Sequence, residues 1–292
     1  MNIFNCIQHS KAKIIKIGYG LLFFTLFFTS CKDGKEAQKR LDEAKALYEN
    51  KQFAAVKIVI DSINILYPKE VEIRKEALTL MRLTERGESA KNIAYCDSII
   101  PIRISELDNL KKGFIFEKNP DYDDIGNYIW NTMTIERNVE RSYIRCGVNE
   151  DGEMYITSLY FGIGPINHTG LKFSTSNNMF AETPAIQYDG GVNYRFKDNG
   201  NTSEIVTYKG ENCKEVANFI SIIDEKARVK AEYTGGKPYT LYLSDNDKKA
   251  IKATYELASV LSEITAMKKE KDKSEKKIML INEKLKNNNE QK

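Results

Sequence analysis

The sequence predicts an α+β protein: helices come first, an antiparallel β domain follows, and a long helix closes the chain. Residues 36–110 repeat apolar side chains at three- and four-residue spacing, which is typical of amphipathic helices. Between residues 128 and 242, short runs rich in β-branched and aromatic residues alternate with turn sequences. From residue 246 the helical pattern returns and continues towards Lys286.

Residues 1–30 have the order of a secretory signal peptide. Lys11, Lys13 and Lys16 come first, no acidic residue occurs, and small polar residues follow the apolar run Ile17–Phe28. That run is shorter than the roughly 20 residues that a membrane-spanning helix needs. The pattern therefore favours a cleaved signal over a transmembrane helix.

The end of this segment, Phe28-Thr29-Ser30-Cys31, resembles the lipobox of bacterial lipoproteins, with Phe28 where the family normally has leucine. The resemblance implies diacylglycerol on the Cys31 sulfur, cleavage before Cys31, and acylation of the new amine, for example by palmitate. We therefore expect a lipid-anchored protein of the cell envelope, held by acyl chains at the periplasmic or surface face of the outer membrane. The alternative is ordinary secretion with an incidental cysteine.

Removal of residues 1–30 takes away three of the 44 basic residues and none of the 41 acidic ones. The mature chain then carries 41 of each, so its formal net charge is close to zero. A nucleic-acid partner is not expected, because such proteins carry a basic face. The remaining cysteines, Cys96, Cys146 and Cys213, form one disulfide at most or serve as small buried apolar residues.

Five segments follow from these patterns: a signal peptide (1–30), a short tether (31–35), a helical hairpin domain (36–112), an α+β domain (113–262) and a charged helical tail (263–292). Within the helical domain, Asp61-Ser62-Ile63 recurs 36 residues later as Asp97-Ser98-Ile99. A period of this size is typical of stacked helical hairpins.

The first of these hairpins resembles a tetratricopeptide repeat. Ala44 matches the small residue of the first helix, Leu47-Tyr48 the large pair after it, Phe53 the aromatic that opens the second helix, and Pro68 the end of the repeat. A second copy over residues 71–104 keeps the spacing but few signature residues. The resemblance implies about two hairpins, and a plain helical bundle is the alternative.

Turn signals place the hairpins of the β domain. An Asp-Gly turn separates residues 143–148 from 153–160, and Gly235-Gly236 predicts a tight two-residue turn between residues 229–234 and 237–243. Pro238 indicates an edge strand, and Ser244 is the expected cap of the last helix.

His168 is the one histidine left in the mature chain, and no HExxH, GxSxG or phosphate-loop motif occurs. We therefore predict no catalytic residue, no metal site and no cofactor. Tyr160, Phe161, Asn167 and His168 form a candidate ligand loop; the alternative is a packed turn with a hydrogen-bonded histidine. We expect His168 to make at most one hydrogen bond, to titrate near 6.5, and not to act as a catalytic base.

The leading hypothesis is a non-enzymatic interaction or scaffold module with a protein partner at the envelope. The alternative is a glycan- or peptidoglycan-binding module on the β domain, where Trp130 and the tyrosines offer ring faces. A hydrolase that depends on carboxylates is the third hypothesis.

Overall fold

The structure is a computed structural model that describes residues 30–290. Within that range it has five α-helices and ten strands. The helices are α1 Ser30–Glu49, α2 Phe53–Leu66, α3 Val71–Leu110, α4 Glu211–Ile222 and α5 Asp245–Glu290. The strands are β1 Phe114–Glu117, β2 Asn127–Trp130, β3 Tyr143–Asn149, β4 Met154–Gly162, β5 Gly170–Thr175, β6 Phe180–Glu182, β7 Asn193–Asp198, β8 Asn201–Lys209, β9 Val229–Thr234 and β10 Tyr239–Tyr242.

The predicted signal sequence, apart from the backbone of its last residue, lies outside the described residues, and so does the side chain of the predicted lipid-bearing Cys31. Among the helices of residues 30–290, none has an apolar stretch long enough to cross a membrane.

The chain divides into two compact units. Of the described residues, the helical unit comprises residues 30–95 and 271–290, and the β unit comprises Cys96–Glu270. Both boundaries fall inside long helices, α3 and α5.

In the helical unit, α1 and α2 form the predicted first hairpin. Leu41 and Ala44 of α1 are buried against Val56, Ile60 and Ile63 of α2, and residues of α3 complete this core. Ala44 has no exposed surface, as a small residue at a helix crossing should.

The second predicted hairpin is wrong, because residues 71–110 form one continuous helix. Gly87 could mark a turn in the sequence, because glycine is common in turns. In the structure it lies inside α3 and allows close packing on α2, since a Cβ there would lie 2.7 Å from the ring of Phe53. Pro101 lies within the helix without ending it. The repeat of Asp-Ser-Ile after 36 residues therefore recurs along helices and does not mark a second hairpin.

The charged C-terminal segment is helical, as predicted. In the helical unit its Ile281 is buried, Lys277 lies 3.6 Å from Glu85, and Asn282 accepts a hydrogen bond from Arg86 at 3.3 Å. The segment around the buried Ile281 therefore contacts α3 through polar side chains.

The β unit contains two antiparallel sheets, which confirms the predicted antiparallel domain. Sheet A has the order β1-β2-β3-β4-β8-β7, and sheet B has the order β10-β9-β5-β6. The inner face of sheet A packs against α4 and α5 in one apolar core; Cys146 Sγ, for example, lies 3.4 Å from Thr254 Oγ1. Tyr233 of β9 donates to the carbonyl oxygen of Leu159, which ties sheet B to sheet A. Cys96, Cys146 and Cys213 are free and buried, which confirms the apolar alternative.

Most local turn predictions hold. The hairpins β3–β4 and β9–β10 occur where expected, β10 is an edge strand, and Ser244 and Asp247 cap α5 reciprocally. The prediction of a tight two-residue turn at Gly235-Gly236 is wrong, because Tyr233 pairs with Tyr239 and residues 235–238 form a longer loop. Gly236 instead allows close packing, because a Cβ there would lie 2.0 Å from the carbonyl oxygen of Ile166.

Candidate functional site

A buried chain of hydrogen bonds connects β4, β8 and the loop that follows β4. Ser158 Oγ lies 2.8 Å from His168 Nε2, and His168 Nδ1 lies 2.9 Å from Oε2 of Glu204. Serine, histidine and carboxylate in this order resemble the triad of serine hydrolases. The three side chains are 0%, 1% and 2% exposed, respectively. No substrate can reach the Ser158 hydroxyl in this conformation.

The carboxylate of Glu204 accepts hydrogen bonds from backbone amides of the loop after β4. Oε1 accepts hydrogen bonds from the amides of Ile166 and Asn167, each at 2.8 Å, and Oε2 accepts one from the amide of His168 at 3.1 Å. With His168 Nδ1, four N–H donors converge on one buried carboxylate. Glu204 thus clamps the loop onto β8; we call Ser158, His168 and Glu204 the buried clamp.

The pKa shifts agree with a structural role. Burial lowers the pKa of His168, and the hydrogen bond and charge of Glu204 offset only part of that effect. Burial opposes ionisation of Glu204, but the hydrogen bonds from Asn167 and His168 outweigh it, so the pKa of Glu204 is lowered. At neutral pH the clamp therefore holds an ionised carboxylate and a neutral imidazole, whose Nδ1–H donates to Glu204 and whose Nε2 accepts from Ser158.

The predicted titration of His168 near 6.5 is therefore wrong. The hydrogen-bond partners of the His168 ring, Ser158 and Glu204, stand ten and 36 residues away in sequence, so its sequence neighbours do not reveal them. The prediction that His168 is not a catalytic base stays a prediction, and the burial of Ser158 favours it.

The remaining loop candidates do not share one surface. Tyr160 is buried and donates to the carbonyl oxygen of Gly164 at 3.3 Å, whereas Phe161 lies on the opposite face of β4. Asn167 is exposed, has a φ of 59°, and accepts a hydrogen bond from Arg195 through its side chain. The loop therefore has the geometry of a packed turn.

The outer face of sheet A carries a groove of about 530 Å³, which we call the sheet A groove. One row across four strands contributes Tyr143, Leu159, Ile205 and Tyr194, which pair in register. The turn that contains Ile135 lies along the groove. An aromatic residue thus stands at each end of an apolar row: Tyr143 is buried, and Tyr194 is partly exposed.

Polar groups lie beside this row. Arg145, Thr157 and Thr207 form the next row across β3, β4 and β8, and the two threonine hydroxyls are 3.1 Å apart. One guanidinium nitrogen of Arg145, Nη2, lies 2.8 Å from Oε2 of Glu117. Burial raises the pKa of Tyr155, which also lines the groove, to about 12, so this phenol stays protonated at neutral pH. The groove therefore offers ring faces, hydroxyl groups and a largely buried cation.

Sequence reasoning did not find the groove. The predicted ring platform Trp130 does not line it; Trp130 packs edge-on against Phe114 with ring centroids 5.1 Å apart. The usable signal was the alternation along β3 and β4, where Tyr143, Arg145, Tyr155 and Thr157 share the parity of one sheet face.

Within residues 30–290, no cluster of three histidine, cysteine, aspartate or glutamate side chains is placed to hold a metal ion. Comparison of the chain with protein families, curated proteins and solved structures found no match.

Proposed function

We propose that this protein is a lipid-anchored, non-enzymatic binding protein of the cell envelope, and that the sheet A groove binds a glycan such as a peptidoglycan strand. The groove carries the proposal, because it is an open site that combines ring faces with hydrogen-bonding groups. Ligand sites typically pair apolar and aromatic walls with a few placed polar groups.

The dimensions of the groove suit a short run of sugar rings. The accessible ring faces are those of Tyr194 and Phe196 on β7, which are 37% and 49% exposed with ring centroids 6.5 Å apart. From Tyr194 the row crosses three strand spacings, roughly 14 Å, to the buried Tyr143. A sugar ring presents an apolar face, which stacks on an aromatic side chain, and hydroxyl edges, which bind groups such as Thr157, Thr207 and Arg145. A neutral or zwitterionic glycan fits this mixture better than a polyanion does, because Glu153 lines the groove together with Lys209, and Arg145 is paired with Glu117.

The test is calorimetric titration of the purified protein with soluble peptidoglycan fragments and with neutral oligosaccharides. We expect Tyr194→Ala and Thr157→Val each to weaken binding by about 2- to 10-fold, since one aromatic or hydrogen-bonding contact contributes about 0.5–1.5 kcal/mol. Tyr122→Ala is the matched control, because Tyr122 is 86% exposed and lies outside the groove. Failure of every glycan to bind, or an equal loss in the control, would refute the proposal.

The anchor is tested separately. Cys31→Ala should leave the protein uncleaved or in the aqueous phase of a detergent phase separation, because acyl chains supply the membrane affinity. Cys96→Ala, which removes a buried free thiol, should partition like the wild type. Wild-type protein with an unmodified Cys31 in the aqueous phase would contradict the lipoprotein proposal.

A second candidate role is docking of a partner helix on the helical unit. The α1–α2 hairpin is similar to one tetratricopeptide repeat, with Ala44 at the crossing and Phe53 opening α2. Ile58 and Ile65 of α2 are 71% and 76% exposed and lie two helical turns apart on one face. Tetratricopeptide-like hairpins use such faces to pack against a further helix.

Site-specific photo-crosslinking in cells tests this role. A crosslinker at Ile58 or Ile65 should capture one envelope protein, whereas a crosslinker at Ile102, which is 61% exposed in the β unit, should not. Capture of the same products from all three positions would argue against a dedicated face on α2.

A further inference from the structure

The outer face of sheet B carries a second groove, of about 590 Å³, which we call the sheet B groove. Its floor is formed by the outward-facing residues of β5 and β9, and its walls by β6, β10 and the loop after β5. It is lined by Lys172, Ser174, Thr175, Ser176, Asn178, Phe180, Arg228, Lys230, Glu232 and Tyr242.

Cations in this groove lie against aromatic rings. Lys172 Nζ is 4.1 Å from the ring centre of Phe180, and the guanidinium carbon of Arg228 is 3.9 Å from that of Tyr242. Phe180 and Tyr242 are 56% and 51% exposed. The rings hold both cations in place while leaving ring surface open, so the cations are pre-positioned for a ligand.

The register fixes the spacing of these groups. Tyr242, Lys230, Ser174 and Phe180 pair in one row across all four strands, with an aromatic residue at each end. Three strand spacings separate the two rings, which is roughly 14 Å. One cation and one hydroxyl group therefore lie between two ring platforms.

The charge of the groove is positive. Lys172, Arg228 and Lys230 face it with one carboxylate, that of Glu232, which lies 3.1 Å from Lys230. The mature chain has equal numbers of acidic and basic residues, so this excess is local. An anionic ligand matches it, because local charge of one sign attracts and orients its complement.

We propose that the sheet B groove binds an acidic polysaccharide, a chain of sugar rings that carries carboxylate or sulfate groups. The two ring platforms take sugar faces, and Lys172, Lys230 and Arg228 bind the acidic groups by charge-assisted hydrogen bonds. A free phosphate ion or a single lipid headgroup would leave one end of the row without a contact. This site is separate from the sheet A groove and does not depend on the function proposed for it.

The experiment is titration of the purified protein with heparin, as a sulfated polysaccharide, and with polygalacturonate, as a carboxylated one. Lys172→Gln combined with Lys230→Gln should weaken binding of one of these polymers by about tenfold or more, which is about 1.4 kcal/mol, because the change removes two charge-assisted hydrogen bonds. Phe180→Leu should weaken it without removing charge. The control Lys197→Gln removes one charge from an exposed residue of β7 and should change binding little.

Added salt should weaken the interaction, because it screens exposed charges. Folding of each variant is checked by circular dichroism, and Tyr194→Ala should bind the acidic polymer like the wild type. The proposal is overturned if neither polymer binds, if the double variant binds as wild type does, or if Lys197→Gln loses as much affinity as the double variant. Stronger binding to phosphatidylglycerol vesicles or to single-stranded DNA than to either polysaccharide also overturns it.

Discussion

Replacing Glu204 by glutamine keeps the shape of the side chain but turns one carboxylate oxygen into an amide nitrogen. That nitrogen donates hydrogen bonds, yet the groups around it are the amides of Ile166, Asn167 and His168 and the His168 ring. At least one buried backbone N–H therefore loses its acceptor in either orientation of the amide. If the amide nitrogen faces the ring, the His168 tautomer protonated at Nε2 would restore this contact: Nδ1 would accept from the glutamine, and Ser158 would accept from Nε2.

The size of the effect follows from these contacts. A hydrogen bond to a charged group contributes about 1.5–3 kcal/mol, and an unsatisfied buried N–H costs about 1–3 kcal/mol. With partial recovery at His168, Glu204→Gln should lower the free energy of unfolding by about 2–4 kcal/mol. The assay is urea unfolding at neutral pH, with Glu182→Gln, an exposed glutamate on β6, as the matched control.

The pH dependence supplies an independent signature. His168 has a lowered pKa, so below about 6.5 the unfolded chain binds more protons than the folded one, and stability falls as the pH falls. Glu204, whose pKa is also lowered, contributes stability above its unfolded value, and that contribution is lost at more acidic pH. His168→Gln should therefore flatten the curve between about pH 6.5 and 5, by at most about 1.4 kcal/mol per pH unit. A neutral effect of Glu204→Gln together with an unchanged curve in His168→Gln would refute the buried clamp.

Three further outcomes follow from packing and burial. Ala44→Trp should destabilise the α1–α2 hairpin by about 1–3 kcal/mol in urea unfolding, because Ala44 has no exposed surface and an inserted ring forces the helices apart. Gly236→Ala should reduce the thermal midpoint markedly, since its Cβ would lie 2.0 Å from the carbonyl oxygen of Ile166, whereas Gly191→Ala, whose Cβ would meet nothing closer than 3.8 Å, should not. Cys146 and Cys213 should react with a thiol reagent only after unfolding, because burial raises the pKa of each to about 12; fast reaction in the native state would contradict their burial.

Local sequence signals predicted the local parts of the fold. The turn sequence before Glu153 and the Ser244 cap each act within a few residues, so they could be recognised without knowledge of the fold. The 36-residue echo was misleading, because a helical face and a helical hairpin both repeat apolar positions at similar spacing. The role of Gly87 in close packing, and not in a turn, is seen from its contact with Phe53. That contact becomes visible only once α2 and α3 are placed side by side.

The two grooves and the buried clamp depend on strand register, which sequence patterns specify weakly. Ser158 and Glu204 are on neighbouring strands β4 and β8 and face inward, whereas Thr157 and Thr207, one position earlier and three later, face outward. A shift of one residue would exchange these two sets, so neither could be assigned before the pairing was known. The same parity separates their roles: the inward groups satisfy one another in the core, and the outward groups retain hydrogen-bonding capacity for a ligand. The serine, histidine and carboxylate of the buried clamp therefore have no capacity left for a ligand, and the binding that we propose uses the outer faces of the sheets.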